Sequence, residues 1–193
     1  MLKDLRVGLA ITGSFCNFAK IAPQIELLKT HGIKEILPIA SFNTLQETNR
    51  FSTPESIRKI LTEETGKEII DTISKAEPVG PKDMVDIIVI APCTGNTLAK
   101  LKLGITDTPV LMAVKGHIRN NKPVVIGVST NDGLGANGEN LLALLNTKNI
   151  FFIPFEQDDP MKKPKSLVYD YTKMIDTIEA AINNKQIQPL LLK

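Results

Sequence analysis

Side chains able to hold a phosphate or a polar ligand are concentrated in four short stretches. The first is Thr12-Gly13-Ser14, directly after the apolar run Arg6–Ile11 and directly before a helical pattern. Small residues there leave backbone N–H groups free at the positive end of a helix, which suits phosphate. A tight strand-to-helix turn uses the same residue types. The second is Ala40-Ser41-Phe42-Asn43-Thr44, in which Ser41 and Thr44 offer hydroxyls to the same phosphate or act as helix caps. At the first turn there is neither GxGxxG nor GxxxxGK, so the dinucleotide and nucleoside triphosphate fingerprints are missing from it.

The third stretch is Ala91-Pro92-Cys93-Thr94-Gly95-Asn96-Thr97. It puts hydroxyl and amide groups at a helix entrance immediately after a wholly apolar run, where they can bond the polar edge of a flavin ring or a ribityl chain. A cap explains one hydroxyl, but not Thr94, Asn96 and Thr97 together. The fourth is the glycine-rich Ser129-Thr130-Asn131-Asp132-Gly133-Leu134-Gly135-Ala136-Asn137-Gly138, able to close over a small polar substrate or to serve as a plain connection. Cys93 and Cys16 read as small buried residues rather than reactive thiols. His117, between Lys115 and Arg119, reads as part of a solvated basic face that is also able to receive an anionic substrate.

The elements that must position these stretches alternate. Strands are expected at Arg6–Ile11, 36–40, 86–91, 124–128 and, last, 150–153. Helices are expected at 15–30, from Thr53-Pro54-Glu55 onward, along an Ile69, Ile70, Ile73 stripe, and at 97–103, Pro109–Arg119 and 138–147. The closing helix carries Tyr171, Met174, Ile175, Ile178 and Ile182 on one face. The run 86–91 has no polar alternation, as expected of a strand buried on both faces. Such alternation implies βαβ units and a mostly parallel sheet covered by helices on both sides. In such sheets ligands bind beyond the carboxyl ends of the strands, where all four stretches fall. Residues 156–165, with Pro160 and Pro164, read as a surface loop.

The 193 residues suit a single domain over 1–193. A 42% hydrophobic content excludes a disordered chain, and a scattered net charge of +2 is not the footprint of a nucleic-acid binder. Two cysteines without CxxC and two histidines leave neither a disulfide framework nor a metal site. The longest apolar stretch, Ile87–Cys93, is too short for a membrane span, and from Met1 onward there is no signal-peptide pattern. A cytoplasmic protein is expected.

The stretch 91–113, APCTGNTLAKLKLGITDTPVLMA, resembles the signature of the homo-oligomeric flavin-containing cysteine decarboxylase superfamily. ITGSFCNFAK at 11–20 is similar to its first phosphate loop, and Asn131 matches the asparagine of its Pro-Ala-Met-Asn motif. AEPVGPKDMVDIIVIAPCTGNTLAKL, STNDGLGANGENLLALL and IPFEQDDPMKKPKSLV resemble more closely one branch, the B-type subunits of a two-subunit oxidoreductase of spore-forming bacteria. The resemblance implies a Rossmann-like three-layer α/β/α flavoprotein fold, an FMN site between subunits and a trimer-based homo-oligomer. It implies formation of a pyridine dicarboxylate in the mother cell from a dihydro-level precursor. A separate nicotinamide-dependent A subunit would be the only route by which NAD(P) enters. On this basis Gly13, Ser14, Ser41, Thr44, Pro92, Thr94, Asn96 and Thr97 are expected to hold FMN. Asn131 is expected to face the substrate, with Lys115 and Arg119 as carboxylate anchors; no catalytic acid or base is assigned.

The sequence departs from the superfamily in two places. The histidine that its decarboxylases carry before the third strand is missing from Ala76-Glu77-Pro78-Val79-Gly80-Pro81, and Thr130 replaces the motif methionine. These departures weigh against decarboxylation of a cysteine-containing substrate. A prenyl-flavin-forming transferase and a scaffold subunit without flavin are further candidate functions.

Overall fold

The computed structural model describes residues 2–192. Met1, where the leader reading begins, and Lys193, which ends the expected 1–193 span, lie outside the described residues. In chain order the elements are β1 (Arg6–Ile11), α1 (Ile21–Thr30), β2 (Glu35–Ala40), α2 (Phe42–Gln46), α3 (Pro54–Thr65), α4 (Ile73–Ala76), β3 (Ile87–Cys93), α5 (Gly95–Lys102), α6 (Pro109–Arg119), β4 (Val124–Thr130), α7 (Gly138–Leu145), β5 (Ile150–Phe152), β6 (Phe155–Asp159), β7 (Lys163–Tyr169) and α8 (Met174–Ile182). Short 3-10 turns precede α1 and α8.

The parallel strands lie in the order β2-β1-β3-β4, with β5 beside the first half of β4. Every residue of β3 is buried, as are all but the last of β4. Strands covered on both faces read as continuous apolar runs, which is why 86–91 and 124–128 are recognisable in sequence. One group of helices, α1, α2 and α3, packs together on the sheet, and α4, α5, α6 and α7 form a second contiguous group. The α3 start is as expected: Thr53 accepts a hydrogen bond from the Ser56 amide, Pro54 opens the helix, and Gly66 ends it with a φ of 65°.

Three expectations need correction. The 15–30 helix is α-helical only from Ile21, because Phe15–Lys20 winds as a 3-10 turn. The Ile69, Ile70, Ile73 stripe is not one helix. Ile70 lies extended beside β2, its amide donating to the Pro38 carbonyl at 2.9 Å, and only Ile73–Ala76 is α-helical. The expected surface loop 156–165 belongs to a β-hairpin, so β5 is not the last strand. β6 and β7 pair antiparallel, and β7 joins the far end of β4 through Ser129↔Val168 and Thr130↔Leu167.

His117 is also placed differently from expectation. It is buried rather than solvated, and its Nε2 lies 3.1 Å from the Pro123 carbonyl oxygen. Burial pulls its pKa from 6.5 down to about 4, so the ring is neutral in the fold. The unfolded chain takes up the proton near 6.5. The fold therefore loses stability as pH falls from 6.5 towards 4, by about 2 to 3 kcal/mol. Urea midpoints measured across that window should decline, and His117→Gln should flatten the decline; an unchanged slope in the variant would assign it to other groups.

Candidate functional site

Beyond the carboxyl ends of the strands, the chain leaves β1 towards β2 on one side and leaves β3 towards β4 on the other. This is the point where strand order reverses and a crevice opens. A buried side chain ties the two strand ends together there. Thr12 Oγ1 donates to the Pro92 carbonyl at 2.8 Å and accepts from the Thr94 amide at 2.9 Å, while the Thr12 amide donates to the same Pro92 carbonyl at 3.2 Å. The ridge formed by Gly13 and Thr94 separates two clefts, and both residues line both.

The smaller cleft, of 430 Å³, is lined by Gly13, Ser41, Asn43, Thr94, Asn96 and Thr97 and closed by Thr108 and Leu111 from the start of α6. Its one cation, Lys100, is held by Asp107 at 2.7 Å, so the lining is polar and close to neutral. Thr94 caps α5 by accepting from the Thr97 amide at 3.2 Å, which leaves the first amides of α5 facing outward. Thr44 lines neither cleft. Its hydroxyl donates to the Ile11 carbonyl at 3.2 Å and meets Ser41 Oγ at 3.0 Å, so it steadies the loop that presents Ser41. Pro92 is buried behind the ridge and acts through its carbonyl alone.

The larger cleft, of 610 Å³, is lined by Ser14, Cys16, Lys20, Arg50 and Asn131, with Asp158, Lys163 and Leu167 contributed by the hairpin. Its floor is a hydroxyl–amide network: Ser14 Oγ lies 2.7 Å from Ser129 Oγ, which accepts from Asn17 Nδ2 at 2.6 Å. The loop carrying Asn131 is braced by Asp132, whose carboxylate accepts from Thr130 Oγ1 at 2.6 Å and from Asn137 Nδ2 at 2.9 Å. Cys16 is exposed here, contrary to expectation. The 3-10 turn directs Asn17 and Phe18 inward and leaves Cys16 outside. Cys93 is buried, and burial pushes its thiol pKa well up, so it is no nucleophile.

Lys115 and Arg119 line neither cleft. A crossover helix runs antiparallel to its strands. The start of α6 therefore reaches the smaller cleft, and its second half, with exposed Lys115 and Arg119, lies towards the opposite edge of the sheet. Neither histidine lines a cleft: His31 Nδ1 lies 2.8 Å from the Leu27 carbonyl oxygen at the end of α1.

Sequence reasoning included Thr12, Asn17 and Lys20 in its first loop without giving them a role, and it did not single out Arg50. A lysine six residues beyond the Thr12-Gly13-Ser14 turn, Lys20, was the one available signal. It also passed over Gly133-x-Gly135-x-x-Gly138, which follows β4 and opens α7 with dinucleotide-type spacing. The geometry removes that reading. A Cβ on Gly133 would lie 2.6 Å from Leu167 Cδ1, so this glycine is spent on packing beneath β7 rather than on the approach of a pyrophosphate.

The model of the family described as Flavoprotein matches residues 1–183. The chain is 50% identical over 192 residues to the B subunit of dipicolinate synthase of Bacillus subtilis (strain 168), covering all of this chain and 96% of that one. The crystal structure of the corresponding B subunit from Bacillus halodurans C superposes with a TM-score of 0.90 at 44% identity, over 100% of this chain and 99% of that one. An FMN-dependent cysteine decarboxylase superposes with a TM-score of 0.70 at 19% identity, covering 95% and 99% of the two chains, a likeness of fold.

Proposed function

The chain belongs to the Flavoprotein family, and from that premise we propose that it is a B-type subunit of dipicolinate synthase that binds FMN in the smaller cleft. The observation that carries the reading is the near-neutral, hydroxyl- and amide-lined cleft at the β1/β3 switch point. Its 430 Å³ lies within the range of small-molecule sites, roughly 300 to 1,000 Å³. Its donors match the group: Gly13, Ser41 and Asn43 for the phosphate, and Thr94, Asn96 and Thr97 for the ribityl chain and ring edge. Ser14 opens onto the larger cleft, where Asn131 faces the substrate.

The reaction converts a dihydrodipicolinate-level precursor into pyridine-2,6-dicarboxylate, releasing two electrons and two protons. Bound FMN would supply a two-electron acceptor next to the substrate, and NAD(P) would enter through the separate A subunit. This chain's residues do the positioning. The Gly13–Thr94 ridge lies between the cleft that would hold the cofactor and the one that would hold the substrate, and the Ser14–Ser129–Asn17 network forms the floor of the latter. Exposed Leu103 and Leu142, at the end of α5 and on α7, support self-association, and the likeness to B subunits of spore-forming bacteria is what supports a trimer-based assembly in the cytoplasm of the mother cell. Thiol-oxidising decarboxylation lacks support, because neither cleft has a histidine to move a proton.

The purified protein should show a flavin absorption spectrum, or bind added FMN at micromolar concentration. With the A subunit and precursor it should form pyridine-2,6-dicarboxylate, followed by ultraviolet absorbance. Turnover without bound flavin would reassign the chain to a scaffold role; release of carbon dioxide from a cysteine-containing substrate would restore the decarboxylase reading.

A further inference from the structure

The two clefts differ in charge. The smaller contains one cation and one carboxylate, paired with each other. The larger is lined by Lys20, Arg50 and Lys163 against a single carboxylate, Asp158, which is bound to Lys163. Lys20 and Arg50 are left with no carboxylate within salt-bridge distance among the described residues, giving a surplus of two positive charges inside one concave site. A cation in a cleft walled by low-dielectric protein is poorly compensated, and an anion entering there recovers the lost solvation.

Each cation rests on an aromatic ring, half-buried Lys20 on buried Tyr169 and exposed Arg50 on its exposed neighbour Phe51. Lys20 Nζ stands 5.4 Å from the centroid of the Tyr169 ring, and the Arg50 guanidinium lies 4.7 Å from that of Phe51. Gln24 locks the first arrangement from behind, because its Nε2 donates to the Lys20 carbonyl at 3.0 Å and to the Tyr169 hydroxyl at 2.9 Å. The backbone that carries the lysine and the ring beneath it are thus fixed by one buried amide. Partial burial also lowers the Lys20 pKa, a penalty that a bound anion relieves.

We propose that Lys20 and Arg50 form a dianion subsite in the larger cleft, each cation taking one carboxylate of a small cyclic dicarboxylate. The subsite replaces Lys115 and Arg119 as the source of carboxylate recognition. It rests on the reading above in one respect, that the substrate is a dicarboxylate. Two positive charges lining one cleft select a rigid molecule bearing two carboxylates over one bearing a single carboxylate, because the second cation is then left unpaired.

The test uses the full chain, alone and with its A subunit. FMN, pyridine-2,6-dicarboxylate and pyridine-2-carboxylate are titrated separately into wild type, Lys20→Gln, Arg50→Gln and Lys20→Arg. Each neutral substitution is expected to weaken dicarboxylate binding at least tenfold, remove most of the preference over the monocarboxylate and leave FMN affinity within twofold. Lys20→Arg should restore most of the dicarboxylate affinity. If the neutral variants lose FMN affinity while dicarboxylate binding holds, the cations serve the cofactor phosphate and the proposal is overturned. Wild type that binds both pyridine carboxylates equally, or neither, overturns it as well. Absence of FMN binding in wild type is a separate result: it removes the cofactor reading and leaves the dicarboxylate comparison readable.

Discussion

Gly80→Ala is expected to cost about 3 kcal/mol of stability, seen as a lower urea midpoint. A Cβ at Gly80 would lie 2.6 Å from both the carbonyl carbon and the carbonyl oxygen of Gly116 in α6. Those are backbone atoms of a packed helix and cannot rotate away. The Gly80 φ of −74° suits alanine, so the substitution also stiffens the unfolded chain, a gain of about 0.4 to 1 kcal/mol that the overlap outweighs. The reciprocal change should behave differently. A Cβ on Gly116 meets its nearest neighbour, Gly80 Cα, at 3.3 Å, and alanine is the better helix former by about 1 kcal/mol. Gly116→Ala is therefore expected within about 1 kcal/mol of wild type. Equal losses at the two positions would contradict the contact as described. The result also bears on function, because Gly80 lies in the segment where related decarboxylases are expected to carry a histidine; here it is committed to close backbone packing.

Thr12→Val is expected to cost about 3 kcal/mol and to weaken FMN binding at least tenfold. Valine keeps the shape and deletes the oxygen. The Thr94 amide then loses its acceptor at 2.9 Å, and the Pro92 carbonyl keeps only the Thr12 amide at 3.2 Å. Each buried polar group left unpaired costs about 1 to 3 kcal/mol. The damage falls on the ridge shared by both clefts, so cofactor affinity should fall together with stability. Thr44→Val also removes a buried hydroxyl, but one behind the Ser41 loop, and is expected to affect FMN less. FMN titration and urea unfolding of the two variants check the difference; identical FMN affinities would mean that the ridge does not shape the cofactor site.

Most of the parallel sheet was legible in sequence because buried strands write themselves as unbroken apolar runs. Strand ends at a switch point attract small polar residues, and Gly13, Ser41, Thr94, Asn96 and Thr97, from three of the four candidate stretches, meet around one cleft. The hairpin escaped because Glu156, Gln157 and Asp158 project into solvent and hide the usual alternation. Its buried positions are Phe155, Ser166, Leu167 and Tyr169, and the buried serine breaks the apolar pattern that would have marked it. The roles of Thr12 and Lys20 escaped for another reason. Their significance depends on partners far along the chain, such as Pro92 and Tyr169, and no local spacing encodes a contact at that range. Lys115 and Arg119 misled because charge type was read without the direction of the helix that carries it.

The two clefts also differ in when the chain delivers them. No wall residue of the smaller cleft lies beyond Leu111, whereas the larger one requires Ser166, Leu167 and Val168. Its floor and supports join Ser14 to Ser129 and Gln24 to Tyr169, contacts between the beginning and the end of the polypeptide. On a ribosome, which releases the N-terminal part first, all the residues of the smaller cleft emerge before the larger cleft has its second wall. Such long-range closures are the slow part of folding, since each must overcome the entropy of a large loop. The larger cleft is therefore the last of the two to close, and its completion waits on the hairpin strand Lys163–Tyr169.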